Sequence, residues 1–226
     1  TANTSGANNV AVGTNALDAN TTASNNTALG YSAGSAVTTG TASTFIGANA
    51  GDAITSGINN TAVGAFALSA DTLGKFSVAV GNGALERQNF TTATNAYNTA
   101  VGYDAGSRIS AGTQNTLIGS LAGDAITDAD YNTVVGVAAL GSNVLGSRNT
   151  ALGSFALANQ TFTTATNSYN TAVGFDTGVY ISTGVQNTLV GALAGDALTT
   201  GGANVAVGFE ALSGEDANSY NVAVGY

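Results

Sequence analysis

The sequence predicts an all-β protein, a parallel β-solenoid or β-roll in which one short coil repeats along residues 1–226. Three observations predict this fold. A five-residue string that ends in glycine recurs at nearly constant spacing, and a longer pattern of four such strings recurs on top of it. The third is composition: 31 of the 226 residues are glycine, and the chain has no proline, cysteine, methionine, histidine or tryptophan.

The recurring string usually reads Asn-(Thr/Val)-x-(Val/Leu/Ile)-Gly, and its glycine defines position 0 of each coil. There are thirteen such glycines: Gly13, Gly30, Gly47, Gly64, Gly81, Gly102, Gly119, Gly136, Gly153, Gly174, Gly191, Gly208 and Gly225. Successive glycines of this set lie 17 residues apart in the sequence, except after Gly81 and Gly153, where the distance is 21 residues. The segment Gly51–Thr55 recurs unchanged four coils later, at Gly123–Thr127. Self-similarity at these periods is typical of stacked repeats.

Each string contains a short strand. Position −1 is valine, leucine or isoleucine in all thirteen coils, and position −3 is always threonine or valine. β-branched and aliphatic residues two apart are typical of β-strands. Because the strand returns in the same direction after every coil, we expect parallel, in-register stacking at about 4.8 Å per coil. We expect the side chains at −3 and −1, with the alanine at +3, to fill a thin interior.

Positions +4 and +7 vary together. Six coils have leucine at +4 and a polar residue at +7, namely Asn20, Asp71, Gln88, Asn143, Gln160 and Glu215. The other six complete coils have glycine at +4 and an aliphatic residue at +7, namely Val37, Ile54, Ile109, Ile126, Ile181 and Leu198. We interpret this as one interior slot per coil, since filling it twice would overpack the core and leaving it empty would create a cavity. Gly123→Leu should then rescue a chain destabilised by Ile126→Asn.

Position −4 is asparagine in eleven coils and serine in two. The favoured interpretation is an amide ladder, in which each side chain bonds its copy in the next coil or caps a turn. The alternative is a row of ligand-binding amides. The glycine at position 0 indicates a positive φ or a close approach of two backbones.

Charge limits the classes of function. The net charge is −9, and the only basic residues are Lys75, Arg87, Arg108 and Arg148. Four scattered cations cannot form a phosphate-binding stripe, which argues against nucleic-acid binding. No apolar run approaches the roughly 18 residues of a membrane span, which argues against membrane insertion of this segment. The repeat pattern runs through residues 1–226, so we expect one repeat domain. Since the chain lacks methionine and a signal-like start, we expect this domain to be a segment of a longer fibre protein.

Catalytic chemistry has few candidates. Without histidine or cysteine the chain lacks the usual neutral-pH base and thiol nucleophile, so we expect no catalytic residues, no cofactor and no enzyme. A carboxylate pair of the glycosidase kind is an alternative. Its candidates are Asp124, Asp128, Asp130, Glu215 and Asp216, which we interpret instead as solvated charges that keep the chain soluble.

Calcium binding along position +5 is another alternative. The aspartates of this column are Asp18, Asp52, Asp124 and Asp196. Serine, alanine, glycine and valine interrupt the column, and the glycine-rich nonapeptide signature of calcium-binding solenoids is absent. We therefore expect no metal site.

A thin coil of this composition buries few large apolar side chains against the entropy of ordering its backbone. The predicted sheet faces are rich in alanine, threonine and glycine, which suit the close approach of another chain. We therefore expect a homo-oligomer.

The strings Asn9–Gly13, Asn98–Gly102 and Asn204–Gly208 resemble the head repeats of YadA-like trimeric autotransporter adhesins. The 17-residue form, as in Asn170 to Gln186, also resembles repeats of phage tail-fibre proteins that carry a C-terminal self-cleaving chaperone. The resemblance covers the whole chain and implies a homotrimer of left-handed parallel β-rolls. Adhesin heads usually have shorter coils, so the coil length here is closer to that of the tail-fibre repeats.

From these observations we predict a structural and adhesive segment of an extracellular trimeric fibre, from a virion or a cell surface. Its partners would be two further copies of the chain and a cell-surface glycan or protein receptor. A self-assembling extracellular filament is one alternative. An ice-binding solenoid is another, since position −3 is threonine in nine coils, although valine interrupts that rank.

The two 21-residue coils are the candidate binding surface. Both contain the string Phe-Thr-Thr-Ala-Thr-Asn-x-Tyr, which places Phe90 and Tyr97 in one coil and Phe162 and Tyr169 in the other. Aromatic faces among hydroxyls and amides suit sugars, and loops on a rigid scaffold often carry binding. In the alternative arrangement, Phe90 and Phe162 fold inward as plugs, and the tyrosines pack beside the next strand.

Overall fold

A computed structural model describes residues 3–214 and 216–226, and it confirms the predicted fold. Parallel strands in stacked coils form a β-solenoid of thirteen turns with the predicted coil spacing, and the described residues contain no helix. The coils group into two compact units, Thr1–Gln114 and Asn115–Tyr226, which are described separately below. Each unit contains one of the two long coils.

In the first unit, six three-residue strands pair in parallel and in register. They are Val10–Val12 (β1), Thr27–Leu29 (β2), Thr44–Ile46 (β3), Thr61–Val63 (β4), Val78–Val80 (β6) and Thr99–Val101 (β8). A second, two-stranded sheet forms only at the long coil, where Gly74–Lys75 (β5) pairs with Thr94–Asn95 (β7).

In the second unit, seven three-residue strands pair in the same way. They are Thr116–Ile118 (β9), Thr133–Val135 (β10), Thr150–Leu152 (β12), Thr171–Val173 (β14), Thr188–Val190 (β15), Val205–Val207 (β16) and Val222–Val224 (β17). Gly146–Ser147 (β11) pairs with Thr166–Asn167 (β13) at the long coil.

The prediction of which strand residues face inward is wrong by one position. In every three-residue strand but the first and the last, the buried strand residue is the one at −2, which is usually alanine and is Phe45, Leu117 or Leu189 once in every four coils. The larger aliphatic residues at −1 point outward: Leu29 is 47% exposed and Ile118 is 39% exposed. A one-residue shift moves every side chain of a strand to the other face. The thin interior has room mostly for alanine at −2. The larger residues at −3 and −1 therefore look like the buried set in the sequence, although they face outward.

The interior of each coil is completed by positions +3, +4 and +7. Alanine at +3 is buried, as predicted. Position +7 is also buried in both kinds of coil, whether it is aliphatic, as in Ile126, or polar, as in Asn143. The single-slot interpretation is therefore wrong in one respect, because +4 and +7 both face inward. At Asn20, Asp71 and Asn143 the polar residue instead caps a turn: the Asn143 side chain, for example, accepts a hydrogen bond from the Gly146 N–H at 2.9 Å.

Position +4 has a backbone requirement that the sequence did not reveal. Its φ is positive in all twelve coils, for example 54° at Leu68 and 57° at Gly51. Left-handed backbone costs a leucine roughly 1–2 kcal/mol, whereas glycine adopts it freely. At +4, leucine thus adds buried apolar volume but strains the backbone, whereas glycine avoids the strain but adds no side chain.

The asparagine column is a buried ladder, as predicted. Asn132 N–H donates to Asn115 Oδ1 at 3.0 Å, and Asn149 N–H donates to Asn132 Oδ1 at 2.9 Å. The side-chain amide of Asn132 also donates to the Gly146 carbonyl at 3.1 Å. Because these side chains are buried and bonded to protein groups, the alternative of an exposed ligand-binding row is excluded for them.

The glycine at position 0 meets both predicted requirements. At Gly47 φ is 129°, and a Cβ built there would lie 2.6 Å from the carbonyl carbon of Gly64 in the next coil. Any larger residue would be strained by its backbone and would also push the coils apart.

Candidate adhesive surface

The outward side chains at −3 and −1 form a surface that we call the outer sheet face. It combines rows of threonine or valine with rows of valine, leucine or isoleucine, in each unit. Exposed members at −1 include Leu29 and Val101 in the first unit and Ile118, Val135 and Val190 in the second. Scattered exposed aliphatic residues are ordinary, but a continuous strip of them marks an interaction surface.

Aromatic residues recur just after the outer sheet face. Position +1 is aromatic and exposed in five coils, at Tyr31, Tyr103, Phe175, Phe209 and Tyr226. In the second unit, Phe209 and Tyr226 stack with their ring centroids 5.8 Å apart. These rings add exposed apolar surface to both units.

Of the four predicted binding residues, the structure places two inside. Phe90 and Phe162 are only 6% and 7% exposed, which is the plug arrangement. Phe162 packs on Gly146, where an added Cβ would lie 2.7 Å from the ring. The loops that follow the two plugs are exposed and rich in threonine, at residues 91–93 and 163–165.

The other two, Tyr97 and Tyr169, are exposed by 52% and 51%. They belong to position −5, a column of side chains that we call the stacking column. Every residue in it has a positive φ, and nearly all of its side chains are exposed. In the first unit Tyr97 stacks on Phe76, with centroids 5.2 Å apart and planes 12° apart. One face of the Tyr97 ring is therefore already covered.

In the second unit the stacking column contains a cation between two rings. The Arg148 guanidinium carbon lies 4.6 Å from the centroid of Tyr131 and 5.9 Å from that of Tyr169. Its Nε–H donates to Asn167 Oδ1 at 3.0 Å. Sequence reasoning missed Phe76, Tyr131 and Arg148. The available signal was that each directly precedes the −4 residue, as Tyr97 and Tyr169 do.

A buried polar network lies beneath the first long coil. Asp71 Oδ1 accepts hydrogen bonds from the N–H groups of Gly74 and Phe90, and its Oδ2 accepts one from Gln88 Nε2 at 2.8 Å. Gln88 also donates to Ser77 and accepts from Asn98. Burial raises the pKa of Asp71, and the hydrogen bonds from Gln88, Phe90 and Gly74 oppose part of that rise.

The second long coil has a different interior. Asn143 replaces the aspartate, and its Nδ2 donates to the Gly146 carbonyl at 2.6 Å. The amide nitrogen and oxygen of Gln160 are both buried, and neither has a hydrogen-bond partner. Thus two coils of similar sequence differ in whether their buried amide is satisfied.

The remaining carboxylates of the described residues do not cluster as a metal site. No three acidic side chains lie close enough to hold a metal ion in residues 3–214 and 216–226. Burial raises the pKa of Asp52, one of the calcium candidates. Glu215, named as a slot residue and as a carboxylate candidate, lies outside the described residues. In the same described ranges, no helix is long and apolar enough to cross a membrane.

Comparisons with known proteins add no relative. No protein-family model, no curated protein and no solved structure matches this chain.

Proposed function

We propose that this chain is a structural and adhesive segment of an extracellular trimeric fibre, a phage tail fibre or a bacterial surface adhesin, and has no enzymatic role. Three observations support the proposal. The backbone is a stacked repeat scaffold, the outer sheet face carries unpaired aliphatic rows, and the long coils present exposed aromatic and hydroxyl side chains. The resemblance to adhesin-head and tail-fibre repeats points to the same function.

The outer sheet face carries the proposal. In most coils the aliphatic residue at −1 lies outside and an alanine at −2 lies inside, so a single chain leaves much of its apolar surface in water. Packing the outer sheet faces of three copies around one axis would bury these rows. Flat rows of threonine and valine allow such close packing without steric clash.

The test is the oligomeric state, measured by multi-angle light scattering at micromolar concentration. We expect a trimer for the native chain. Leu29→Lys combined with Ile118→Lys should dissociate it, because each change would bury a charge without a partner. The control is Asn25→Lys, at an exposed position of the stacking column. A native monomer, or a trimer that tolerates both lysines on the outer sheet face, would contradict the proposal.

One observation favours a second candidate function, ice binding. The threonines at −3 point outward in regular rows, for example Thr27, Thr44 and Thr61 on paired strands. A rank of this kind is what the ice-binding alternative requires. Thermal hysteresis of the purified chain would favour this function, and its absence together with a trimer would favour the fibre, since the same face cannot be buried and bind ice.

A further inference from the structure

In residues 115–226, every charged residue other than Arg148 is acidic. Arg148 is therefore the only lysine or arginine from residue 115 to residue 226. Its guanidinium is held on two sides by the rings of Tyr131 and Tyr169 and at Nε by Asn167. An arginine fixed in this way loses less conformational entropy when it binds a ligand than a mobile surface side chain does.

The hydrogen bond from Arg148 to Asn167 uses the Nε–H of the guanidinium. The Arg148 residue as a whole is exposed. Two parallel N–H groups of arginine match the two oxygens of a carboxylate.

We propose that Tyr131, Arg148 and Tyr169 form a binding site for the carboxylate of an acidic sugar residue. The proposal rests on the adhesive function and specifies its ligand. Arg148 would bind the carboxylate in a bidentate manner. The two tyrosines and the exposed Asn167 border the arginine with hydroxyl and amide groups of the kind that bind sugar hydroxyls.

The first unit supplies a natural comparison. Its stacking column has Asn59, Phe76 and Tyr97 at the equivalent positions, so it contains the second tyrosine but neither the cation nor the first ring. The acidic sugar should therefore bind once per chain, to the second unit.

The binding experiment uses titration calorimetry with three probes: tetragalacturonate, sialyllactose and a hyaluronan tetrasaccharide. We expect at least one to bind with one site per chain, and its carboxyl methyl ester to bind about tenfold or more weakly. Arg148→Gln should weaken binding about tenfold to a hundredfold, the range for losing hydrogen bonds to a charged group. Arg148→Lys should lie between, because lysine keeps the charge without the planar fork.

The matched control is Arg108→Gln, which removes the same charge from an exposed position of the first unit and should leave binding unchanged. A gain-of-site variant, Asn59→Tyr with Phe76→Arg, recreates the triad around Tyr97 and should raise the stoichiometry from one to two. Free acetate should compete only at far higher concentration if the sugar ring contributes.

Failure of all three probes to bind overturns the proposal. So does equal binding by the methyl ester or by Arg148→Gln. Light scattering on the same samples measures the oligomeric state independently of sugar binding. An intact trimer that binds none of the sugars therefore refutes this site but not the fibre proposal.

Discussion

Two glutamines at the same coil position, Gln88 and Gln160, have opposite surroundings. Gln88 is bonded to Asp71, Ser77 and Asn98, whereas both amide atoms of Gln160 are buried without a partner. An unsatisfied buried amide costs roughly 1–3 kcal/mol, and an apolar replacement of similar shape removes that cost. The burial of each side chain is the same, so only the polar contacts distinguish the two sites.

We therefore expect Gln160→Met to leave the free energy of unfolding unchanged or to raise it by about 1 kcal/mol. Gln88→Met should lower it by about 2 kcal/mol, because the buried Asp71 carboxylate loses a donor. Urea denaturation of both variants measures the difference. Equal losses in the two variants would show that Gln160 is bonded in solution.

Asp71 gives the fold a dependence on pH. Burial raises its pKa in the folded chain above the value of about 3.9 in an unfolded chain. Between these two pKa values the folded chain binds more protons, so the stability that Asp71 contributes is present below about pH 4 and is lost as pH rises through the folded pKa. Asp71→Asn should remove this dependence.

The measurement is the free energy of unfolding from pH 4 to pH 7 for the native chain and Asp71→Asn. The native chain should lose stability relative to the variant as pH rises, whatever the offset between them. The opposite slope would mean that the hydrogen bonds from Gln88, Phe90 and Gly74 outweigh the desolvation of the carboxylate.

At the scale of the coil, the residue at −2 limits what position +4 can hold. A Cβ at Gly123 would lie 2.8 Å from Ile126 Cδ1 and 2.9 Å from Leu117 Cδ2. The sequence predicts that the double change Gly123→Leu with Ile126→Asn recovers much of the stability lost in Ile126→Asn, but this change leaves the clash with Leu117. Every coil with leucine at +4 has alanine or valine at −2.

Ile126→Asn should lower the free energy of unfolding by about 3–5 kcal/mol, because it loses a packed side chain and buries an amide. Adding Gly123→Leu alone should recover little. The further change Leu117→Ala should recover much of the loss, because the coil then has the pattern of a leucine coil. Thermal and urea denaturation of the single, double and triple variants measure this, and full recovery in the double variant would contradict it.

For the whole molecule, the two long coils allow attachment to be tested separately from the stability of the scaffold. Deleting residues 91–94 and 163–166 returns both coils to the length of the other coils while keeping Phe90 and Phe162. If the exposed loops and the adjoining stacking column bind the host surface, the deletion should abolish attachment and change the melting temperature by only a few degrees. Attachment that survives would place the adhesive site elsewhere. Deleting either loop alone is the control for the contribution of each unit.

Much of the fold followed from the sequence because a repeat reports the same environment thirteen times. The strand positions, the ladder of Asn115 and its copies and the role of the glycine at position 0 were all predicted correctly. The facing of the strand was not, because threonine, valine and alanine all suit either side of a thin sheet. The candidate site was predicted only in part: the long coils drew attention to Phe90 and Tyr97, but Phe76, on which Tyr97 stacks, lies in another coil.

The sequence by itself determined the coil length, the parallel register and the columns of like residues, because equivalent positions in a stacked repeat must meet their copies. The tertiary structure decided which columns face water and which pairs of side chains touch. These depend on the width of the interior and on the path of each corner, and the spacing of residues carries neither. The outward aliphatic row, the inward Phe90 and Phe162 and the arginine between Tyr131 and Tyr169 all depend on that packing.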